Sequence, residues 1–98
     1  MQGYRVELGE IESIAFQIGG IDLACAVAMD ESGRIGLAIV GDSALRDDAV
    51  RRELSARLPT YMVPAVVVLV PTLPLGPTGK IDRDALELIL KDATRRIG

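Results

Sequence analysis

Among the residues of this chain able to do chemistry, Lys80 has the most suggestive setting. It ends the stretch LPLGPTGK, and the helical pattern IDRDALELIL follows it. Pro71, Pro74 and Pro77 stiffen the approach by fixing φ, and Gly79 leaves the backbone beside the lysine free to meet another surface closely. Taken alone, Lys80 is an exposed loop lysine before a helix. A rigid loop with one ammonium at its tip also suits delivery of charge to an anion, phosphate above all, that is bound elsewhere. The P-loop is excluded as the source of such binding. That motif has four residues between its glycines and Ser or Thr after the lysine. Here Pro77 and Thr78 alone separate Gly76 from Gly79, and Ile81 follows Lys80.

Other candidates carry less. The stretch FQIGGIDL, residues 16–23, has the paired glycines that precede the phosphopantetheine-bearing serine of carrier proteins, but Asp22 stands in the serine's place and forms no phosphodiester. It reads as a helix stop and turn. The acidic groups Glu7, Glu10, Glu12 and Asp47, Asp48 are spaced for helix first turns, where carboxylates complement the dipole, rather than for paired acid–base work. The chain has no histidine to act as base and no G-x-S-x-G nucleophile elbow. Its one cysteine, Cys25, lies in an apolar run, so disulfide frameworks and Cys/His metal sites are excluded, and it reads as a small buried hydrophobe in a reducing compartment.

The elements that must position Lys80 follow from periodicity. Residues 3–7 read as an extended lead-in. A helix follows with Ile11, Ile14, Ala15 and Ile18 on one face, Glu10 and Glu12 in its first turn and Gly19-Gly20 as its stop. The apolar runs 23–29 and 35–40, joined by Asp30-Glu31-Ser32-Gly33-Arg34, read as a hairpin. Since both faces of each run are apolar or small, helices must cover at least one side. Ser43 is the expected N-cap of a helix to about residue 58, with Asp47 and Asp48 early, Val50, Leu54 and Leu58 inward, and Pro59 as terminator. Residues 66–70 are a β-branched strand and 71–78 a turn-rich loop. Asp82 then caps a last helix with Ala85, Leu86, Ile89, Leu90 and Ala93 inward and Arg95 and Arg96 at its C-terminal end. The expected fold is α+β: a small three-stranded sheet packed with about three helices, after an extended lead-in, all within a single domain spanning residues 1–98.

Totals agree with that size. Ninety-eight residues, 49% apolar and 26% charged, make an ordinary globular composition. Eleven basic against fourteen acidic side chains, with no basic cluster, argue against nucleic acid as a partner. No apolar run approaches a membrane span, and the start MQGYRVELGE has no signal-peptide core, so a cytoplasmic protein without membrane partners is expected.

Three stretches together resemble the C-terminal subdomain of adenylate-forming (AMP-binding) enzymes, most closely the amino-acid adenylation domains of nonribosomal peptide synthetases. GYRVELGEIE, residues 3–12, is similar to the family's hinge-proximal motif. LPTYMVP, residues 58–64, is similar to its next-to-last core motif. LPL at 73–75 with TGKIDR at 78–83 is similar to its last, which carries the catalytic lysine. The motifs stand in family order over essentially the whole chain, and ELGEIE and YMVP are more typical of the peptide-synthetase branch than of acyl-CoA synthetases or luciferases. Gln2 departs from the arginine common before the first glycine, and the family's hinge residue would lie upstream of Met1.

The resemblance implies that ATP, with Mg2+ in the complete enzyme, and an amino acid give an aminoacyl-adenylate and pyrophosphate, after which the acyl group passes to a carrier-protein thiol. It implies Lys80 as catalytic residue, with Thr78 and Gly79 as its supporting loop, and Gly3 and Tyr4 beside the pantetheine tunnel once the subdomain swings. It also implies two partners, an N-terminal adenylation core subdomain and a phosphopantetheinyl carrier protein. No metal ligand is expected in this chain, which alone is expected to bind no cofactor and to be inactive. The alternative is a free-standing, non-catalytic module that docks on a synthetase or carrier protein. For Tyr61, Met62 and Pro64 the expected role is structural, fixing the end of the second helix against the sheet.

Overall fold

A computed structural model describes residues 7–29 and 33–97. The element order is α1 (Leu8–Ala15), β1 (Ile21–Ala28), β2 (Ile35–Gly41), α2 (Asp47–Arg57), a single 3-10 turn (Thr60–Met62), β3 (Val66–Leu69) and α3 (Arg83–Ile97). The sheet runs β1-β2-β3, with β1 antiparallel to β2 and β3 parallel to it, so α2 is a crossover between parallel neighbours. A three-stranded sheet with three helices is the expected fold class. Of the expected lead-in, Glu7 is extended, and the rest lies outside the described residues.

Helices cover both faces of the sheet. On one face α1 and α2 bring Ile11, Ala15, Val50 and Leu54 onto Ile35, Leu37, Ile39 and Val67. On the other, α3 lays Leu86 and Leu90 on Cys25, Val27, Ala38 and Val66. The alternation along β2 explains the asymmetry: its large side chains face α1 and α2, and Gly36 and Ala38 face α3. A Cβ on Gly36 would stand 2.9 Å from both Leu90 Cδ1 and Met29 Sδ, so the missing side chain is what lets α3 lie this close.

Several expected details differ. The β1–β2 register shifts between Ile21 and Leu23, so Ile21 opposes Gly41 while Leu23 opposes Val40. This extra residue inverts the side-chain alternation and sends Ile21 into the α1/α2 core, although Cys25 and Val27 point to the other face. Ser43 is not a helix cap. Asp42 accepts the Ala44 N–H on Oδ1 and the Leu45 N–H on its carbonyl, which closes a turn, and α2 starts only at Asp47, behind Arg46. The first helix ends at Ala15, earlier than its apolar spacing implies, and Ile18 reaches the core from the following turn. Along α3, Leu86 and Leu90 are fully buried, whereas Ile89 is 38% exposed, so the inward face is narrower than expected.

Candidate functional site

Lys80 sits near the tip of a small hairpin rather than in an irregular loop. Leu75 and Ile81 form an isolated antiparallel bridge. The Gly76 N–H donates to the Lys80 carbonyl at 2.7 Å, the Gly79 N–H to the Gly76 carbonyl at 3.0 Å, and the Asp82 N–H to the Pro74 carbonyl at 2.8 Å. Pro77 supplies a preset φ within the turn, and Gly79 has φ +85°, a left-handed conformation that a side chain resists. Both feet of the hairpin are anchored in the α3-side core, through buried Leu73 and half-buried Ile81. The backbone at Lys80 is therefore fixed at its carbonyl, while the side chain is exposed and has no ion pair or hydrogen bond among the described residues. Thr78 and Gly79, the expected supporting residues, form the turn itself, and open space surrounds the Gly79 Cα.

The helix behind the hairpin begins as expected: the Ala85 N–H donates to Asp82 Oδ1 at 3.1 Å, and the Leu86 N–H to the Asp82 carbonyl at 3.1 Å. Its first residue has a role that spacing did not show. Arg83 Nη1 donates to the Ala26 carbonyl at 3.0 Å, and the N–H of Ala26 donates to Glu12 Oε2 at 2.8 Å. Glu12, expected to complement the dipole of its own helix, instead reaches across to β1. Since β1 is an edge strand, the two side chains occupy outward-facing backbone groups that a further strand would otherwise pair with. The buried Cys25 thiol lies beside this pair. Burial pushes its pKa up, the Arg83 charge opposes that shift, and Glu12 reinforces it.

Gly3 and Tyr4 lie outside the described residues, so only the end of the first motif, from Glu7 to Glu12, is placed relative to Lys80. The middle motif is structural. Met62 and Pro64 are buried, Arg51 Nε donates to the Pro64 carbonyl at 3.0 Å, and the Ala65 N–H donates to the Ile35 carbonyl at 2.8 Å, which leads the chain from α2 into β3; Tyr61 is half-exposed.

No cluster of three or more acidic, His or Cys residues among those described has the geometry to hold a metal ion, and no described helix is long and apolar enough to cross a membrane. A hollow of about 490 Å³ lined by Leu45, Arg46, Asp47, Val67, Val68, Leu69 and Ala93 lies along β3, the sheet edge opposite β1, and contains no residue of the hairpin. Nothing described around Lys80 cradles a phosphate.

Comparison with known proteins places this arrangement. Residues 10–80 match the model of the AMP-binding enzyme C-terminal domain. Bacitracin synthase 3 of Bacillus licheniformis is 46% identical over 89 residues, which is 88% of this chain and 1% of that protein. Tyrocidine synthase 3 of Brevibacillus parabrevis is 40% identical over 90 residues, 88% of this chain and 1% of that one. The chain thus spans a very small part of the length of such relatives. Among solved structures, apo MatB from Rhodopseudomonas palustris has a TM-score of 0.80 at 24% identity, over 93% of this chain and 19% of that one. A fatty acyl CoA synthetase from Mycobacterium tuberculosis has a TM-score of 0.77 at 25% identity over the same shares.

Proposed function

Because the chain belongs to the family of AMP-binding enzyme C-terminal domains, we propose that it is the mobile lid of an amino-acid adenylation domain. In this reading it supplies Lys80 for aminoacyl-adenylate formation and then reorients for thioester transfer to a carrier protein. Membership in this family makes it the C-terminal domain of an adenylate-forming, ATP-using ligase. Similarity to peptide synthetases such as bacitracin synthase 3 supports the amino-acid branch. The observation that carries the lysine's role is its setting: an exposed ammonium, unpaired among the described residues, on a hairpin closed by backbone hydrogen bonds and anchored at both feet.

In the first step a carboxylate oxygen of the amino acid attacks the α-phosphorus of ATP, the new P–O bond forms, and pyrophosphate leaves with the electron pair of the broken P–O bond. Negative charge gathers on the phosphoryl and carboxylate oxygens. Lys80, brought up by closure of the lid, donates to those oxygens from a backbone that is already fixed, so only its side chain has to be ordered as charge develops. ATP, its Mg2+ and the amino acid are held by the N-terminal core subdomain, and this chain alone neither binds the nucleotide nor turns over. In the second step the lid turns, Lys80 leaves the site, and Gly3 and Tyr4 border the path of the pantetheine thiol.

A paired experiment in the complete enzyme, core and lid together, tests this reading. Lys80→Ala should slow pyrophosphate exchange by about a hundredfold, the scale of losing one preorganised donor, and leave thiol loading from preformed adenylate nearly intact. Gly3→Leu should do the reverse by blocking the thiol's path. Equal damage to both steps in both variants contradicts a lid that presents different faces in turn.

A further inference from the structure

The hydrogen bonds to Ala26 connect two motifs that are far apart in sequence. Glu12, at the end of the first motif, and Arg83, at the end of the last, hold the N–H and the carbonyl of one residue, across separations of 14 and 57 positions. Neither side chain serves its own helix by doing so. Glu12 crosses from α1 on one face of the sheet, and Arg83 from the first residue of α3 on the other, and they meet around the β1 edge. Arg83 is three residues beyond Lys80, and between them Asp82 caps α3 and donates its own N–H to the hairpin at Pro74.

We propose that Glu12 and Arg83 are positioning residues for Lys80: by clasping Ala26 they fix the start of α3, and with it the lysine hairpin, to β1 and to the helix that continues the first motif. The core contacts of Leu73 and Ile81 hold the hairpin against α3, and Leu86 packs the first turn of α3 on Cys25 and Val27 of β1, but apolar contact is non-directional and leaves the helix some freedom to slide or tilt along the strand. The Arg83 bond removes that freedom, since the guanidinium is tied to a named carbonyl of the strand. Glu12 accepts the N–H of the same residue and ties α1 to that point. Helix α1 and the lysine hairpin are thus tied to one point of β1. A lysine that must reach developing charge within hydrogen-bond distance is sensitive to such an anchor, because a displacement near 1 Å costs up to about a hundredfold in rate.

This inference rests on the proposed role of Lys80, and its test separates the two. In the complete enzyme, Arg83→Met should lower kcat for adenylate formation by about tenfold or more, leave KM for ATP and amino acid within about twofold, and spare thiol loading from preformed adenylate. Placed on Lys80→Ala, the same substitution should give no further loss, because a residue that acts through the lysine has nothing left to position. Glu12→Ala should reproduce the effect and speed exchange of the Ala26 amide, whereas Glu12→Gln, whose amide oxygen still accepts that N–H, should restore most of the rate. If Arg83→Met fails to fold, the Glu12 pair carries the same test, including the combination with Lys80→Ala. Full adenylation by Lys80→Ala overturns both readings. A slow Lys80→Ala with a normal Arg83→Met, or losses that multiply in the double variant, or equal loss in both half-reactions, overturns the positioning role alone.

Discussion

The two faces of the sheet are built on different terms. Against α1 and α2 the packing is large and wholly apolar, with Ile11, Leu37, Ile39, Val50 and Leu54 all essentially inaccessible. Against α3 the sheet offers Gly36, Ala38 and Cys25 beside Val27 and Val66, so the helix lies close where β2 is small, and the rim of this face carries the charged groups Arg83 and Lys80. One face holds the fold together. The other holds a hairpin in place, and its thin packing makes the position of α3 depend on polar ties as well as on burial. Under the proposed lid role, a lever that presents one cation takes its precision from one side and its bulk stability from the other.

The sharpest way to break this contrast is a cavity in the thick face. Leu54→Ala should cost about 2–5 kcal/mol of unfolding free energy, read by denaturant titration, and should not alter the ratio of the two half-reactions per folded molecule. A changed ratio would mean that the α1/α2 face also aims the lysine. In the thin face, Gly36→Ala should cost less, about 1–3 kcal/mol, because the added methyl meets the side chains of Leu90 and Met29. It should nonetheless slow adenylate formation disproportionately, since relief comes by moving α3. Gly79→Ala probes the hairpin by itself: the cost is about 1–2 kcal/mol of backbone strain at φ +85°, with open space around the new methyl. Loss of adenylation with thiol loading spared would place the defect at Lys80.

The smallest effect belongs to Cys25. Burial raises its pKa on folding, so the folded state holds the thiol proton more tightly than the unfolded chain does. That contribution to stability is fully present below the ordinary thiol range and is lost as pH rises through the folded-state value. Cys25→Ala should therefore flatten the decline of unfolding free energy on the alkaline side, on top of a pH-independent loss from the small cavity that the buried sulfur leaves. A decline that stays equally steep would show that the thiol is not responsible for it.

What the sequence made legible divides along the same line. The strand runs were readable to within a couple of residues because their apolar content is continuous on both faces, and the Asp82 cap was readable because Asx capping is local. The turn before Lys80 was readable from Pro77 and Gly79, which make it. Non-local or competing interactions were not readable. Nothing in the spacing of Glu12 shows that its carboxylate leaves its own helix for Ala26, or that Arg83 meets the same residue from the far end of the chain. The inserted residue at Asp22 is invisible because either register of that run looks apolar, and Ser43 lost its role as cap when Asp42, a better acceptor one residue earlier, closed the turn first.

Adenylate formation by Lys80→Ala, followed by pyrophosphate exchange in the complete enzyme beside its thermal unfolding, decides whether the thin face exists to deliver this cation. The expected result is a loss of about a hundredfold in exchange with an unchanged unfolding midpoint, since an exposed side chain without partners among the described residues contributes nothing to the fold that its removal would reveal. Exchange at the wild-type rate would contradict it, and so would a loss matched by a fall in the midpoint.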